Sequence, residues 1–167
     1  MHYTQTISSP LGNILLSADE VGLTGLWFDG GRYYADTLPE EHVERETPIL
    51  MDTKRWLDVY FTGREPDFTP PLHPAGSSFR QTVWQQLLEI PYGQTTTYGA
   101  LRGDGASARA VGGAVGHNPS SIIIPCLRVG GSDGALTGYA AGLDVKRRLL
   151  ELEGVRLEQG PRGWYTA

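Results

Sequence analysis

The chain opens with short apolar–polar alternations cut by turn residues. YTQTI, SSPLG, NILLSAD and EVGLTGLWF follow one another between Tyr3 and Phe28. Alternation bounded by Pro, Gly and Asp marks strands, so this region predicts a small antiparallel meander that Gly30 and Gly31 end. An acidic stretch, ADTLPEEHVERE, then leads to Leu50, Trp56, Leu57, Tyr60 and Phe61, whose roughly helical spacing predicts a helix stopping before Gly63. The segment REPDFTPPLHPAGSS carries four prolines. Proline fixes φ and removes a donor, so an extended connector is predicted there, with a domain boundary dividing 1–75 from 76–167. Ser78 is placed as the cap of a helix whose apolar face is Phe79, Val83, Trp84, Leu87 and Leu88.

Beyond the Pro91-Tyr92-Gly93 turn, Thr95 to Leu101 runs into the small-residue stretch RGDGASARAVGGAVGHNP. A short helix, a turn and a compact helix over Ser107 to Val115 would form a helix-turn-helix. Ile122-Ile123-Ile124 reads as a buried strand ending at Pro125, and Asp144 to Glu153 as a final helix stopped by Gly154. The sum is an α+β fold, a small sheet followed by a mostly helical half.

At 167 residues the chain suffices for one ordinary domain or two small ones packed together. Its net charge of -5 excludes a protein that coats nucleic acid by bulk electrostatics. The acidic residues cluster between Asp36 and Glu46, whereas Arg102, Arg109, Arg128, Lys146, Arg147 and Arg148 lie in the second half, so a local basic face is permitted. A single cysteine, Cys126, excludes an internal disulfide and a thiolate metal cluster and suits a reducing, cytoplasmic setting. The four histidines show no ligand spacing, so neither a metal nor another cofactor is expected. No stretch approaches the run of about 18 apolar residues that spans a bilayer, and a protein with no membrane association is expected.

A lone cysteine is ordinarily an inert buried residue. Cys126 has a different setting: an apolar run and Pro125 precede it, and the glycine-rich GGSDGALTGYAAG follows shortly after. A thiol between a rigid segment and a pliable loop is well placed to meet a substrate. The string NPSSIIIPCLRV resembles the active-site signature of the O6-alkylguanine–DNA alkyltransferase family, Asn-Pro, a short apolar run and Pro-Cys-His-Arg-Val. FRQTVWQQLLEIPYGQTTTYGAL, ARAVGGAVG and TGYAAGLDVKRRLLELEG resemble the segments around the family's recognition unit, its recognition helix, and its lid and last helix. SSPLGNILLSADEVGLTGLWF and YFTGREPDF resemble its amino-terminal domain, so the likeness covers nearly the whole chain.

The resemblance implies a ribonuclease H-like amino-terminal domain and a winged helix-turn-helix domain. It also implies a monomer that binds double-stranded DNA in the minor groove and flips an alkylated guanine out of the stack. Cys126 would then take the alkyl group irreversibly, with no cofactor. By the same likeness, Tyr98 donates a hydrogen bond to the departing base, Arg109 fills the vacated stack, Asn118 braces the turn before the cysteine, and Glu153 is the carboxylate behind it. Ala110, Gly112, Gly113 and Arg128 fall among the DNA- and base-contacting positions. Tyr139, Ala140 and Gly142 fall on the lid, and Pro119 and Ser132 on the pocket lining. His117, beside Asn118, reads as a surface residue on a turn rather than a base.

The chain departs from the family twice. Leu127 stands where the family has the histidine that relays a proton between thiol and carboxylate. A thiol at its ordinary pKa is only about three per cent thiolate at neutral pH, so a lost relay costs at most roughly thirty-fold, about 2 kcal/mol. A slowed transferase is therefore expected, accelerated by Leu127→His. Ten residues separate Tyr98 from Arg109, a turn fewer than the family has, which bears on DNA affinity. Two other readings stay open: a sensor that flips the lesion and flags it without transfer, and a relative whose pocket serves a small molecule away from DNA.

Overall fold

The computed structural model describes residues 1–101 and 106–167. Arg102 and part of the turn predicted inside the helix-turn-helix lie outside the described residues. The meander is present as β1 (His2–Ser9), β2 (Gly12–Ala18) and β3 (Leu23–Phe28). β1 and β2 are antiparallel from Tyr3 opposite Ala18 to Ser9 opposite Gly12. The turn places Gly12 at φ 118, a conformation that only glycine takes without strain. A fourth strand, β4 (His42–Glu44), lies parallel to β1 and gives the sheet the order β3-β2-β1-β4. The pattern of the acidic stretch does not announce β4, because all three of its residues are exposed and none alternates.

The outer edge of β3 is closed by two distant segments. Leu23 exchanges backbone hydrogen bonds with the proline connector, its N–H donating to Pro71 O at 2.7 Å and its carbonyl accepting from His73 N at 2.7 Å. Leu26 does the same with the chain approaching the cysteine: its N–H donates to Pro119 O at 2.8 Å and its carbonyl accepts from Ser121 N at 3.1 Å. The sheet therefore holds the cysteine segment by main-chain pairing as well as by packing.

Helix α1 (Pro48–Tyr60) begins where Thr47 accepts from Leu50 N, with Pro48 in the first turn, where a missing N–H costs nothing. Leu50, Trp56, Leu57 and Tyr60 are buried on its inner face, each leucine contributing about 2 kcal/mol by leaving water. The helix α2 (Ser78–Leu88) is capped by Ser77, one residue before the predicted Ser78. Its buried face is Val83, Trp84 and Leu87, while Phe79 is exposed. α3 (Tyr98–Leu101), α4 (Ala108–Gly116, capped by Ser107) and α5 (Leu143–Leu152) follow. Two small ribbons complete the fold: β5 (Thr96–Thr97) pairs in parallel with β6 (Val129–Gly130), and β7 (Leu157–Gly160) makes a hairpin with β8 (Gly163–Thr166). The α+β expectation holds. Among the described residues no helix is long and apolar enough to cross a membrane.

The predicted strand at Ile122–Ile124 is corrected. These residues form turns, and the isoleucines are shared between two cores. Ile122 and Ile123 join Leu127, the sheet, α1 and α5 in one cluster. Ile124 joins Cys126, Val129, α2 and α4 in the other. A run buried on every side has no free face to show a period, which is why the sequence pattern reads it as a strand.

Candidate active site

Cys126 heads a single turn of 3-10 helix, Cys126–Arg128, and is 6% exposed. What fixes it is the Asn118 turn. The Asn118 amide donates to Ser120 O at 3.2 Å and to Ile124 O at 2.6 Å, and its carbonyl accepts from Ser120 N at 2.9 Å. A buried amide with such partners holds the backbone rigidly. The Cys126 thiol points toward Ser121 O at 3.8 Å, and Tyr139 donates its phenol to the same carbonyl at 2.6 Å.

Cys126 forms part of the wall of a cavity of about 270 Å3. Its walls include Tyr98 from α3, Gly112 and Gly113 from α4, Asn118, and Tyr139 and Ala140 from the loop before α5. The two glycines present bare backbone, since a Cβ on either would meet nothing within 4 Å. Thr137 donates to the Tyr98 hydroxyl at 3.4 Å, linking that loop to α3. Arg109 and Ala110 are exposed on the first turn of α4. The predicted lid residue Gly142 is the N-cap of α5 at φ 100.

Burial pushes the Cys126 thiol above its ordinary pKa. The Asn118 amide, the Lys146 ammonium and the N–H groups of Cys126 and Leu127 pull the other way. Lys146 is itself buried, its ammonium donating to Val129 O at 2.6 Å and Thr137 O at 3.0 Å. Burial brings its pKa down to about 8, while the neighbouring Cys126 acts to raise it. The cation is thus the charged group that favours the thiolate. In the sequence Lys146 is one cation of a basic second half; its burial is a tertiary fact that a single Lys in a helix does not disclose.

Glu153 is saturated. Oε1 accepts from Arg128 Nε at 2.8 Å and Gly93 N at 3.0 Å, and Oε2 from Arg128 Nη2 at 3.0 Å and Tyr60 Oη at 2.7 Å. A carboxylate offers about four lone-pair positions, and all are taken. Three expectations are corrected here. Arg128 is not on the surface: it is buried, forked onto Glu153, and donates to Ile90 O at 2.8 Å. Pro119 is buried with its carbonyl bonded to Leu26 and does not line the cavity at Cys126. Ser132 is exposed and lines a separate cavity of about 340 Å3, on the side of Leu127, Val129 and Lys146. Conversely, His117 and two residues the sequence did not single out, Arg32 and Tyr33, do line the cysteine cavity.

Leu127 is fully buried in the sheet-side core. A histidine there would have to displace one of the four donors on Glu153 to rebuild a relay. The acceleration that the sequence alone predicts for Leu127→His is therefore replaced: the single variant is expected to leave the rate of thiol alkylation within about threefold of the unchanged protein, because Glu153 is already fully bonded, and to lower stability by about 1 to 3 kcal/mol, the cost of an ill-partnered buried polar group. Adding Tyr60→Phe frees a lone pair and is expected to raise the rate above that of the single variant. Single-turnover kinetics and thermal denaturation check both. A single variant already ten times faster than the unchanged protein would show that Glu153 is not saturated in solution.

A four-stranded sheet joined to a helical half, with the one cysteine in the wall of a cavity beside a small-residue helix, defines an α+β protein with a cavity-lining thiol. Residues 1–74 match the domain described as 6-O-methylguanine DNA methyltransferase, ribonuclease-like domain, and residues 78–155 the DNA binding domain of the same name. The chain is 44% identical over 155 residues to the methylated-DNA–protein-cysteine methyltransferase of Methanosarcina acetivorans, covering 91% of this chain and 98% of that one. It is 43% identical to the protein of that name from Haemophilus influenzae, covering 92% and 86%. The crystal structure of Mycobacterium tuberculosis OGT in complex with DNA superposes with a TM-score of 0.80 at 40% identity, over 90% of this chain and 92% of that one. The chain belongs to the methylated-DNA–protein-cysteine methyltransferase family.

Proposed function

We propose that this protein repairs DNA by moving the alkyl group of O6-alkylguanine onto Cys126, once per molecule. The observation that carries this reading is Cys126 in the wall of a cavity that it shares with a tyrosine, bare glycine backbone and a loop. The alkylated oxygen lies within a base pair, so the nucleotide must first be extruded, at a cost of a few kcal/mol. A bond then forms between Cys126 Sγ and the alkyl carbon as the bond from that carbon to O6 breaks. The electron pair stays with the base, the thiol proton ends on guanine, and S-alkylcysteine remains. Since nothing returns the sulfur to a thiol, the protein is consumed.

In this reading Tyr98 supplies a hydrogen bond to the leaving base, and exposed Arg109 occupies the gap in the stack. Ala110, Gly112 and Gly113 let the backbone come close to DNA, and Tyr139 and Ala140 cover the base. Asn118 positions the cysteine. Glu153 is a structural anchor for Arg128 rather than a proton carrier. Residues 1–75 and 76–167 serve as two domains, packed together through a shared core, of a monomer that works in the cytoplasm. With a net charge of -5, contact with DNA is local and weakens steeply with salt.

Intact-mass measurement after mixing with a duplex bearing O6-methylguanine tests the reading: a gain of one methyl group, mapped to Cys126, is expected. Binding without a gain would instead identify a lesion sensor, the reading that Leu127 and the saturated Glu153 favour. The transfer rate is expected to climb about tenfold per pH unit toward the thiol pKa. Because burial raises that pKa, the climb should continue beyond the ordinary thiol range near 8.5 rather than level off there. A rate already flat at neutral pH in single-turnover assays would mean that extrusion of the base, not thiolate formation, limits the reaction.

A further inference from the structure

One wall of the cysteine cavity comes from the other half of the chain. Among the described residues lining it, Arg32 and Tyr33 alone precede Tyr98 in sequence. They sit in the turns after β3 and are pinned from several directions. The Arg32 N–H donates to Ala140 O, on the loop over the cavity, at 2.7 Å. A Cβ at Gly31 would stand 3.0 Å from Phe28 O and 3.3 Å from that same Ala140 O, so a glycine permits this close approach. The Tyr33 ring stacks on the His117 imidazole, with centroids 4.0 Å apart and planes at 29°. The Arg32 guanidinium carbon lies 5.0 Å from the Tyr33 centroid. His117, the C-cap residue of α4, is in turn held by a hydrogen bond between Nδ1 and Gly113 O at 2.8 Å.

Tyr33 is not there for core packing. It belongs to neither hydrophobic cluster, and its backbone is at φ 60, a left-handed conformation that a tyrosine rarely adopts. Such strain persists where surrounding contacts over-determine it, and it gathers at ligand clamps. Here those contacts are to His117 at the C-cap of α4 and, through the neighbouring Arg32, to the loop carrying Tyr139, the two elements that bound the cavity.

We propose that Tyr33 is a specificity-determining residue: its ring, propped on His117, closes the amino-terminal side of the cavity and sets how large an O6 substituent can be seated beside Cys126. This rests on the alkyl-transfer reading for its substrate class, but the wall itself can be tested without transfer. In a Cys126→Ser background, free O6-methylguanine and O6-benzylguanine are titrated against the full chain with and without Tyr33→Ala. Removing the ring is expected to shift the ratio of the two affinities about tenfold toward the benzyl base, the scale on which apolar pockets sort substrates by size. Tyr33→Phe should restore the original ratio, and His117→Ala should move it in the direction of Tyr33→Ala, since the ring loses its prop.

With Cys126 intact, the same change should appear in the ratio of transfer rates from duplexes carrying the two lesions. If the ratio stays put in Tyr33→Ala while stability falls, Tyr33 is a scaffold residue and the inference is overturned. If the affinity ratio moves but no alkyl group is ever transferred, the wall stands and the transfer reading falls. If methyl transfer proceeds and neither ratio moves, the inference alone falls.

Discussion

Replacing Arg128 with alanine is expected to cost about 3 to 5 kcal/mol of folding stability, a large part of a margin that for most domains is about 5 to 15 kcal/mol. The Glu153 side chain is 0% exposed and that of Arg128 10%, so neither charge can turn to water when its partner is lost. In the variant the carboxylate would keep only Tyr60 and the Gly93 N–H, and Ile90 O would lose its donor. Burial, then Glu153, already hold the Tyr60 phenol in its protonated form, so that donor cannot supply a positive charge. Urea denaturation followed by the fluorescence of buried Trp56 and Trp84 measures the loss. Glu153→Gln should be comparably damaging because it strands the guanidinium. Replacing both partners with apolar residues of similar volume should recover part of the loss, since no buried charge is then left alone. A change below about 1 kcal/mol in Arg128→Ala, the range of an ordinary surface substitution, would mean the pair is hydrated in solution.

Cys126→Ser is expected to abolish alkyl transfer altogether while leaving recognition of the lesion in place. A hydroxyl is a poor nucleophile unless a general base takes its proton, whereas a thiol has a useful thiolate fraction near neutral pH. No described partner of the Cys126 sulfur is such a base: Ser121 offers a backbone carbonyl, Asn118 is an amide, and the Lys146 ammonium is bonded to two carbonyls, while His117, elsewhere on the cavity wall, is tied through Nδ1 to Gly113 O. The substitution keeps the cavity walls, so an O6-methylguanine duplex should still be preferred over an undamaged one in a shift assay. Methyl adducts on the serine protein would reveal a second nucleophile and remove Cys126 from its central place.

The elements that the sequence pattern reveals are those with one wet and one dry face. α1 and α5 show their apolar stripes in the spacing of Leu50, Trp56, Leu57 and Tyr60, and of Leu149 and Leu150. The meander shows itself by turn residues between alternating runs. What escapes is whatever long-range pairing decides. β4, β7 and β8 are short, and they pair through backbone groups that are the same in every residue. The Ile122–Ile124 segment belongs to two cores at once and so has no exposed face to read. In the site, Cys126, Tyr98, Asn118 and Tyr139 were legible because they lie in strings with a family likeness. The mutual capture of Arg128 and Glu153 was not, for the two are 25 residues apart and only the fold brings them together. The same holds for Tyr33 and His117.

The three hydrogen bonds of Asn118 complete the shape around the sulfur during folding, before any duplex is met. The encounter then has to order little besides the extruded nucleotide and the relative tumbling of two molecules. A reagent that reacts a single time gains nothing from rehearsal, so its readiness must be inherited from its own folding. The braced asparagine loop builds that readiness in.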